Sequence, residues 1–262
     1  MRVIGGLGEM VLAQWDELRH AAAVIGTVLY VCVQPRYWVR AVRRAFVRQI
    51  VTIGVDSIAL VCGVAVFVGT TVVAQLAFWV EQAGQSQMLG PLLVAVVARE
   101  LGPVLIGIVV IVRSGSAMVT ELGIMRTDGR VDALEAKELS PFLCLVMPRV
   151  LATAVSAFCL TIVFILIAFA SGYLFGAMVG TGSRDLLLLV DTVSRAVHPR
   201  DVLAIVSKSI VPALFAGASC CIGGLDVGES VTEVPQATQR ALVRSLVGLF
   251  VISTVVSFLT YL

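Results

Sequence analysis

Charged side chains interrupt two long apolar runs of the chain, and these residues are the first candidates for chemistry. Arg99 and Glu100 lie within LLVAVVARELGPVLIGIVV, and Lys208 lies within VLAIVSKSIVPALF. A charge that faces lipid at the centre of a bilayer helix costs roughly 2.5–3.5 kcal/mol, so each should face a bundle interior, a cavity or an opposite charge. They therefore predict either a polar lining along a substrate path or structural pairs of Glu100 with Lys208 or Arg99. Arg240, at the start of the last apolar run, could point into the same cavity or extend to the interface.

No catalytic or metal-binding pattern accompanies these charges. The chain has two lysines, Lys137 and Lys208, and neither completes G-x-x-x-x-G-K-[ST], which excludes ATP hydrolysis through a P-loop. His20 and His198 are far apart, and the six cysteines form no C-x-x-C and lie mostly in apolar runs. We therefore expect buried thiols without a disulfide framework, and no catalytic residue, metal site or cofactor in this chain.

A compact helical pattern occupies residues 127–139, between the second and third apolar runs. Thr127 or Asp128 can cap its start, and Ser140-Pro141 ends it. Apolar and acidic side chains fall largely on separate stripes. The stripes consist of Val131, Leu134 and Leu139, and of Asp128, Asp132, Glu135 and Glu138. Such a helix can dock a partner, but periodicity alone favours an ordinary solvated loop helix.

The amino-acid composition indicates which kind of secondary structure, and in which environment, positions these residues. Hydrophobic residues make up 59% of the 262 and charged residues 14%, and the mean hydropathy is +1.01. A soluble domain of this size needs a far more polar exterior. The sequence therefore excludes a water-soluble enzyme or binding module and predicts one all-α membrane domain over residues 1–262.

Five apolar segments are long enough to cross a bilayer, which takes about 20 residues per helix. They run over 50–80, 88–112, 142–180, 202–225 and 241–262. Residues 21–33 are apolar but short, and a mixed stretch precedes them. We therefore predict an amphipathic interfacial helix over 9–33, with a sixth span as the alternative.

Basic residues set the orientation of the spans. With a cytoplasmic N-terminus, the inward stretches 1–49, 113–149 and 226–244 hold fourteen arginines and lysines, whereas the outward stretches hold three. This asymmetry predicts a cytoplasmic N-terminus, a C-terminus on the opposite side, and a cytoplasmic position for the 127–139 helix.

Several stretches of the chain resemble a known family in order along the sequence. The matching stretches are Arg99-Glu100-Leu101-Gly102-Pro103, Arg113-Ser114-Gly115-Ser116-Ala117, residues 120–126, Asp132-Ala133-Leu134-Glu135, residues 148–152 and residues 236–243. Together they resemble MlaE-type permeases, the membrane subunits of ABC transporters that work with MCE-domain proteins. The resemblance covers roughly residues 45–262.

The resemblance implies a homodimer in the bacterial inner membrane that binds a separate ATPase and a periplasmic MCE-domain protein. It implies that the 127–139 helix is the coupling helix, with Asp128, Val131, Asp132, Leu134, Glu135 and Glu138 as its contact residues. The implied substrates are phospholipids or related lipids, bound by Arg99, Glu100, Lys208 and Arg240. ATP would be used by the partner chain, and no nucleic-acid partner is expected.

Two other functions fit the residues without the resemblance. A stand-alone secondary transporter or channel could use Arg99, Glu100 and Lys208 as a proton or ion pathway. A membrane scaffold could use the same charges only as structural pairs. Transport by the chain alone without ATP would favour the first alternative, and tolerance of a swap between Glu100 and Lys208 would favour the second.

Overall fold

The structure, a computed structural model, describes residues 22–32, 34, 39–82, 92, 94–138, 140–179, 199–228 and 230–261. These residues are almost entirely helical, and no strand occurs among them. In chain order the helices are α1 (Ala22–Cys32), α2 (Arg40–Val72, followed by Ala74–Gln82), α3 (Val94–Thr127), α4 (Arg130–Glu135), α5 (Phe142–Phe175), α6 (Arg200–Leu225) and α7 (Val231–Thr260).

The five long helices α2, α3, α5, α6 and α7 are long and apolar enough to cross a membrane. This confirms the predicted all-α fold with five spans and a shorter N-terminal apolar helix. The helix α1 covers only the second half of the predicted 9–33 segment, and residues 9–21 lie outside the described part of the chain. Val28 and Val31 of α1 are buried in one apolar cluster with Val150 and Leu214, so α1 packs on the bundle.

Three helices extend beyond the apolar runs that predicted them. The helix α2 begins at Arg40 rather than at 50, α3 continues to Thr127 rather than ending at 112, and α7 begins at Val231 rather than at 241. Hydropathy marks only the part of a helix that contacts hydrocarbon, whereas backbone hydrogen bonds continue through good helix formers such as Arg, Glu, Gln and Met. Residues 113–126, which lie outside the predicted spans, are therefore helical and continue the second span.

The short helix α4 is shorter than the predicted 127–139 helix and begins differently. Asp128 lies at the C-terminus of α3, where its N–H donates to the carbonyl of Ile124 at 2.9 Å, so it does not cap α4. Gly129 follows with φ +69°, the left-handed conformation that commonly ends a helix and that glycine adopts without steric cost. The new helix starts only after this turn, at Arg130.

The helix α6 lies at the centre of the bundle and packs against α7, α5 and α3. In its apolar stretch of 18 residues, 61% of α6 is buried. The corresponding stretches of α2 and α7 are 22% buried, so these two helices expose apolar side chains. Close approach of α6 to α3 depends on Gly224, because a Cβ there would lie 2.8 Å from the Leu122 Cβ and 2.9 Å from the Val119 carbonyl oxygen. At this level α6 and α3 therefore approach each other nearly backbone to backbone.

Candidate functional site

The second span departs from α-helical geometry where it carries its two charges. Residues Val94–Leu101 of α3 form a π-helix, and this segment contains Arg99 and Glu100. Pro103 follows and has no N–H, so it cannot supply the hydrogen bond that an α-helix would give to the Arg99 carbonyl. π-helical turns are rare and often mark functional sites. The local sequence therefore leaves a backbone acceptor beside two charged side chains.

Lys208 of α6 supplies a donor at this point. Its Nζ lies 2.5 Å from Oε1 of Glu100 and 3.3 Å from the Arg99 carbonyl oxygen. The Lys208 side chain is 0% exposed, whereas that of Glu100 is 48% exposed. An ammonium group can be buried only where opposite charge and hydrogen-bond acceptors offset its lost hydration. Lys208 is therefore an interior residue whose charge is neutralised by Glu100.

Asp201 joins the same site through Arg99. Nη2 of Arg99 lies 2.6 Å from Oδ1 of Asp201, whose side chain is 3% exposed. Asp201 was not among the predicted site residues, because it lies just outside the predicted fourth span, 202–225. Its spacing could have indicated the role, since Asp201 precedes Lys208 by two helical turns and so lies on the same face of α6.

The fifth span contributes a hydroxyl group. Ser257 Oγ donates to Oε1 of Glu100 at 3.3 Å. Side chains of α3, α6 and α7 thus meet at the end of the bundle remote from α4. We call Arg99, Glu100, Asp201, Lys208 and Ser257 the distal charge cluster.

Arg240 does not reach this cluster. Its Nη2 donates to Oε1 of Gln236 at 3.5 Å, and its side chain is exposed. Ser257 follows Arg240 by 17 residues on α7, which corresponds to roughly 26 Å along a helix. The structure thus brings together three of the four predicted substrate-binding residues and places Arg240 at the opposite end, near α4.

The predicted coupling residues, on α4 and on either side of it, differ in how far they are buried. Val131 is buried within the chain, Leu134 is half-buried, and the acidic side chains of Asp128, Asp132, Glu135 and Glu138 are exposed. Asp132 also pairs with Arg126 at 2.7 Å. The surface around α4 therefore presents charges of both signs near Leu134, since Arg130 and Lys137 are exposed as well, while Val131 attaches α4 to the bundle.

A second buried ion pair lies at the α4 end of the bundle. Arg149 of α5 has its Nη2 3.0 Å from Oε2 of Glu121 on α3, and its Nη1 donates to the Leu145 carbonyl at 3.0 Å. The Arg149 side chain is 5% exposed and that of Glu121 is 47% exposed. We call Glu121 and Arg149 the proximal ion pair. This pair could not be predicted from the apolar runs, because Glu121 lies outside the predicted spans.

Other possible sites are unrelated to these charges. A cavity of about 420 Å³ is lined by Thr70, Thr71, Gln75, Phe78 and Phe175, none of which was a predicted site residue. Within the described ranges, no three His, Cys, Asp or Glu side chains gather as a metal site would require. The distal charge cluster is therefore the candidate functional site.

Comparison with known proteins adds an independent finding. A protein of Haemophilus influenzae, the intermembrane phospholipid transport system permease protein MlaE, is 26% identical over 260 residues, which are 97% of each chain. A probable ABC transporter permease protein of Synechocystis is 29% identical over 219 residues, 84% of this chain and 82% of its own. The protein TRIGALACTOSYLDIACYLGLYCEROL 1, chloroplastic, of Arabidopsis thaliana is 29% identical over 214 residues. That match covers 82% of this chain but only 61% of the Arabidopsis protein.

The family described as Permease MlaE matches residues 46–259. This range contains α2 from its second turn, all of α3 to α6 and nearly all of α7, together with every residue of the distal charge cluster. The match thus reaches all five long helices, and the chain belongs to the MlaE permease family.

Proposed function

We propose that this chain is the membrane subunit of an ABC transporter that moves phospholipids or related lipids between the bacterial inner membrane and a periplasmic MCE-domain partner. The distal charge cluster is the observation that carries the proposal. A lipid headgroup needs polar partners and its acyl chains need apolar surface, and the charged groups of the cluster beside the apolar spans support the proposal on both counts. The name of the Haemophilus relative, a phospholipid transport permease, supports the same substrate class.

The proposed energy source is a separate ATPase that uses ATP, with no catalytic residue or cofactor in this chain. Support comes from the ABC transporter permease names of several relatives and from the exposed charged surface around α4. In this arrangement α4 faces the cytoplasm, the N-terminus is cytoplasmic and the C-terminus is periplasmic, in agreement with the positive-inside asymmetry of the sequence.

A second copy of the chain is the proposed partner within the membrane. The helix α7 exposes large apolar side chains, including Phe250, Phe258 and Leu259. Ser257, on the same helix, contacts the half-exposed Glu100. A second copy packed near this surface would enclose the distal charge cluster between two chains, which would shield Glu100 from acyl chains.

Lipid transfer by the reconstituted transporter tests the role of the cluster. We expect Glu100→Gln to reduce ATP-dependent transfer of a fluorescent phospholipid by about tenfold or more while the ATPase still co-purifies, because the neutral amide keeps a hydrogen bond to Lys208 but loses the charge. Glu121→Gln, at the other ion pair, is the matched control and should transfer normally. Full transfer by Glu100→Gln would contradict the proposed site.

Association with the ATPase tests the role of α4. We expect Leu134→Asp to abolish co-purification of the ATPase, because a carboxylate would replace the half-buried apolar group among the charged side chains of α4. The control is Ala133→Asp, which adds the same charge at a neighbouring exposed position of α4. An intact complex with Leu134→Asp would contradict the coupling role.

A further inference from the structure

The first part of α2 carries a row of arginines apart from the distal charge cluster and the proximal ion pair. Residues Arg40–Ile53 form one regular helical stretch, which contains no Asp or Glu. Four of its residues are arginines at positions i, i+3, i+4 and i+8, a spacing that keeps them on one side of a helix. All four are exposed. We call them the arginine stripe, which consists of Arg40, Arg43, Arg44 and Arg48.

The arginine stripe lies opposite the face of α2 that packs on α5. That inner face belongs to the apolar clusters of the core or packs against them, and it consists of Val42, Phe46, Ile50 and Ile53. No carboxylate of the described residues forms an ion pair with the four guanidinium groups of the stripe. The stripe therefore presents to its surroundings a positive charge that the described part of the chain does not offset.

Apolar side chains lie among the arginines on the same outer face. Val47 is 54% exposed and Val51 is 47% exposed, and they follow Arg44 by three and seven residues, which places them on its side of the helix. Val55 and Ile58 continue the exposed apolar surface of α2 beyond the last arginine. An acidic soluble protein would match the arginines alone. A phospholipid matches both features, because it carries an anionic phosphate and apolar chains next to each other.

The length of α2 places the arginine stripe at the level of the lipid headgroups. The helix continues to Val72, so the residues after Arg48 are enough to cross the hydrocarbon, which takes about 20 residues. Val42 lies in one apolar cluster with Val146 and Val150 near the start of α5. The stripe is therefore at the α4 end of the bundle, whereas the distal charge cluster is at the other end.

We infer that the arginine stripe binds an anionic phospholipid of the surrounding bilayer, with the phosphate on Arg44 and Arg48 and the acyl chains along Val51 and Val55. Arginine suits this role because its planar guanidinium group donates two parallel hydrogen bonds to a phosphate. Clustered basic residues next to a span also attract anionic lipids by their charge. This lipid stays at the outer surface of α2 and is not the transported substrate, so the inference goes beyond the proposed function and does not depend on it.

Local quenching of a single tryptophan tests the inference in the full chain. The three native tryptophans are replaced by Phe, Val51→Trp is introduced, and the protein is reconstituted into vesicles of dioleoyl phosphatidylcholine and dioleoyl phosphatidylglycerol. Either lipid in turn carries brominated acyl chains, which quench a neighbouring tryptophan. We expect phosphatidylglycerol to be enriched at position 51 about fivefold or more over its share of the bilayer. About 1 M salt should lower this enrichment, because it shortens the screening length to about 3 Å.

Two matched variants show whether the arginines cause the enrichment. Arg44→Gln combined with Arg48→Gln should bring the enrichment at position 51 close to one. Arg130→Gln combined with Lys137→Gln removes the same charge from exposed positions beside α4 and should leave the enrichment unchanged. An unchanged value without Arg44 and Arg48, or an equal loss in both double variants, would overturn the inference.

A second tryptophan position shows whether the enrichment is local. Phe67→Trp reports on the lipid at an exposed position farther along α2, roughly 24 Å from residue 51 along a helix, and should show no enrichment. Equal enrichment at positions 51 and 67 would indicate a general attraction of the anionic lipid and would overturn the inference. No enrichment at either position would overturn it too and would favour an acidic protein as the occupant of the stripe. None of these measurements involves lipid transfer, so the proposed function stands or fails separately.

Discussion

The distal charge cluster and the proximal ion pair bury a cation in nearly the same way. In each, the basic side chain lies inside the bundle and its carboxylate partner reaches the surface. Lys208 and Arg149 are 0% and 5% exposed, while Glu100 and Glu121 are 48% and 47% exposed. At opposite ends of α3, both sites therefore offset the charge of a buried basic side chain with a half-exposed carboxylate.

The surroundings of the two sites differ. Arg149 bonds the Leu145 carbonyl one turn earlier in its own helix, and Glu121 lies in a regular α-helical stretch. Lys208 instead depends on Glu100 and on a carbonyl freed within a π-helix, 108 and 109 residues away in sequence. Arg149 thus keeps one bond within its own helix beside its ion pair with α3, whereas the contacts of Lys208 with Glu100 and with the Arg99 carbonyl both reach another helix. The distal cluster is therefore the one that a ligand or a helix movement can alter.

The largest predicted effect comes from removing the carboxylate of the distal cluster. Glu100→Leu removes the carboxylate that lies 2.5 Å from the buried Nζ of Lys208, and we expect a loss of about 3–5 kcal/mol in the free energy of unfolding. Unfolding in mixed detergent micelles measures this loss. The double variant Glu100→Leu with Lys208→Met should recover most of it, since both charges are then removed together. No recovery would show that the cost is not electrostatic.

A smaller loss is expected from the equivalent change in the proximal ion pair. Glu121→Leu leaves Arg149 with its bond to the Leu145 carbonyl, and a long guanidinium side chain near the end of a span can extend toward water. We expect a loss of about 1–3 kcal/mol in the same unfolding assay. A loss as large as that of Glu100→Leu would show that the bond from Arg149 to the Leu145 carbonyl does not reduce the cost of losing the carboxylate.

The smallest effect is expected from Ser257. Ser257→Ala removes one hydrogen bond to Glu100 but leaves the ion pair with Lys208, so the free energy of unfolding should fall by about 0.5–1.5 kcal/mol. Thr260→Ala, one turn nearer the end of α7, is the control, because Thr260 Oγ1 bonds only within its own helix. Equal losses in both variants would indicate that Ser257 contributes nothing specific to the distal cluster.

Much of the fold could be predicted because the relevant signals are local. An apolar run of about 20 residues predicts a span wherever it occurs, and all five predicted spans overlap a long helix of the structure. The helix ends could not be predicted in this way. Glu121 lies in a helix although it lies outside an apolar run, and Gly129 rather than Asp128 sets the start of α4.

The candidate site was predictable only in part. Arg99, Glu100 and Lys208 could be identified because they are charged residues within apolar runs. Arg240 was grouped with them as a substrate-binding residue on the basis of a resemblance, and the structure places it at the other end of α7. Asp201 and Ser257 were missed because a residue at the edge of a span and a serine within one carry no hydropathy signal of their own.

The sequence by itself determined that this chain crosses a membrane with five helices, which family it resembles, and which charged residues must avoid lipid. These properties follow from hydrophobicity and residue order, and both can be evaluated segment by segment. Only the tertiary structure decided that Lys208 meets Glu100, that Asp201 meets Arg99 and that Glu121 meets Arg149. Such pairings depend on the rotation and axial position of each helix, which are fixed by close packing between helices, as at Gly224, and not by the composition of any one of them.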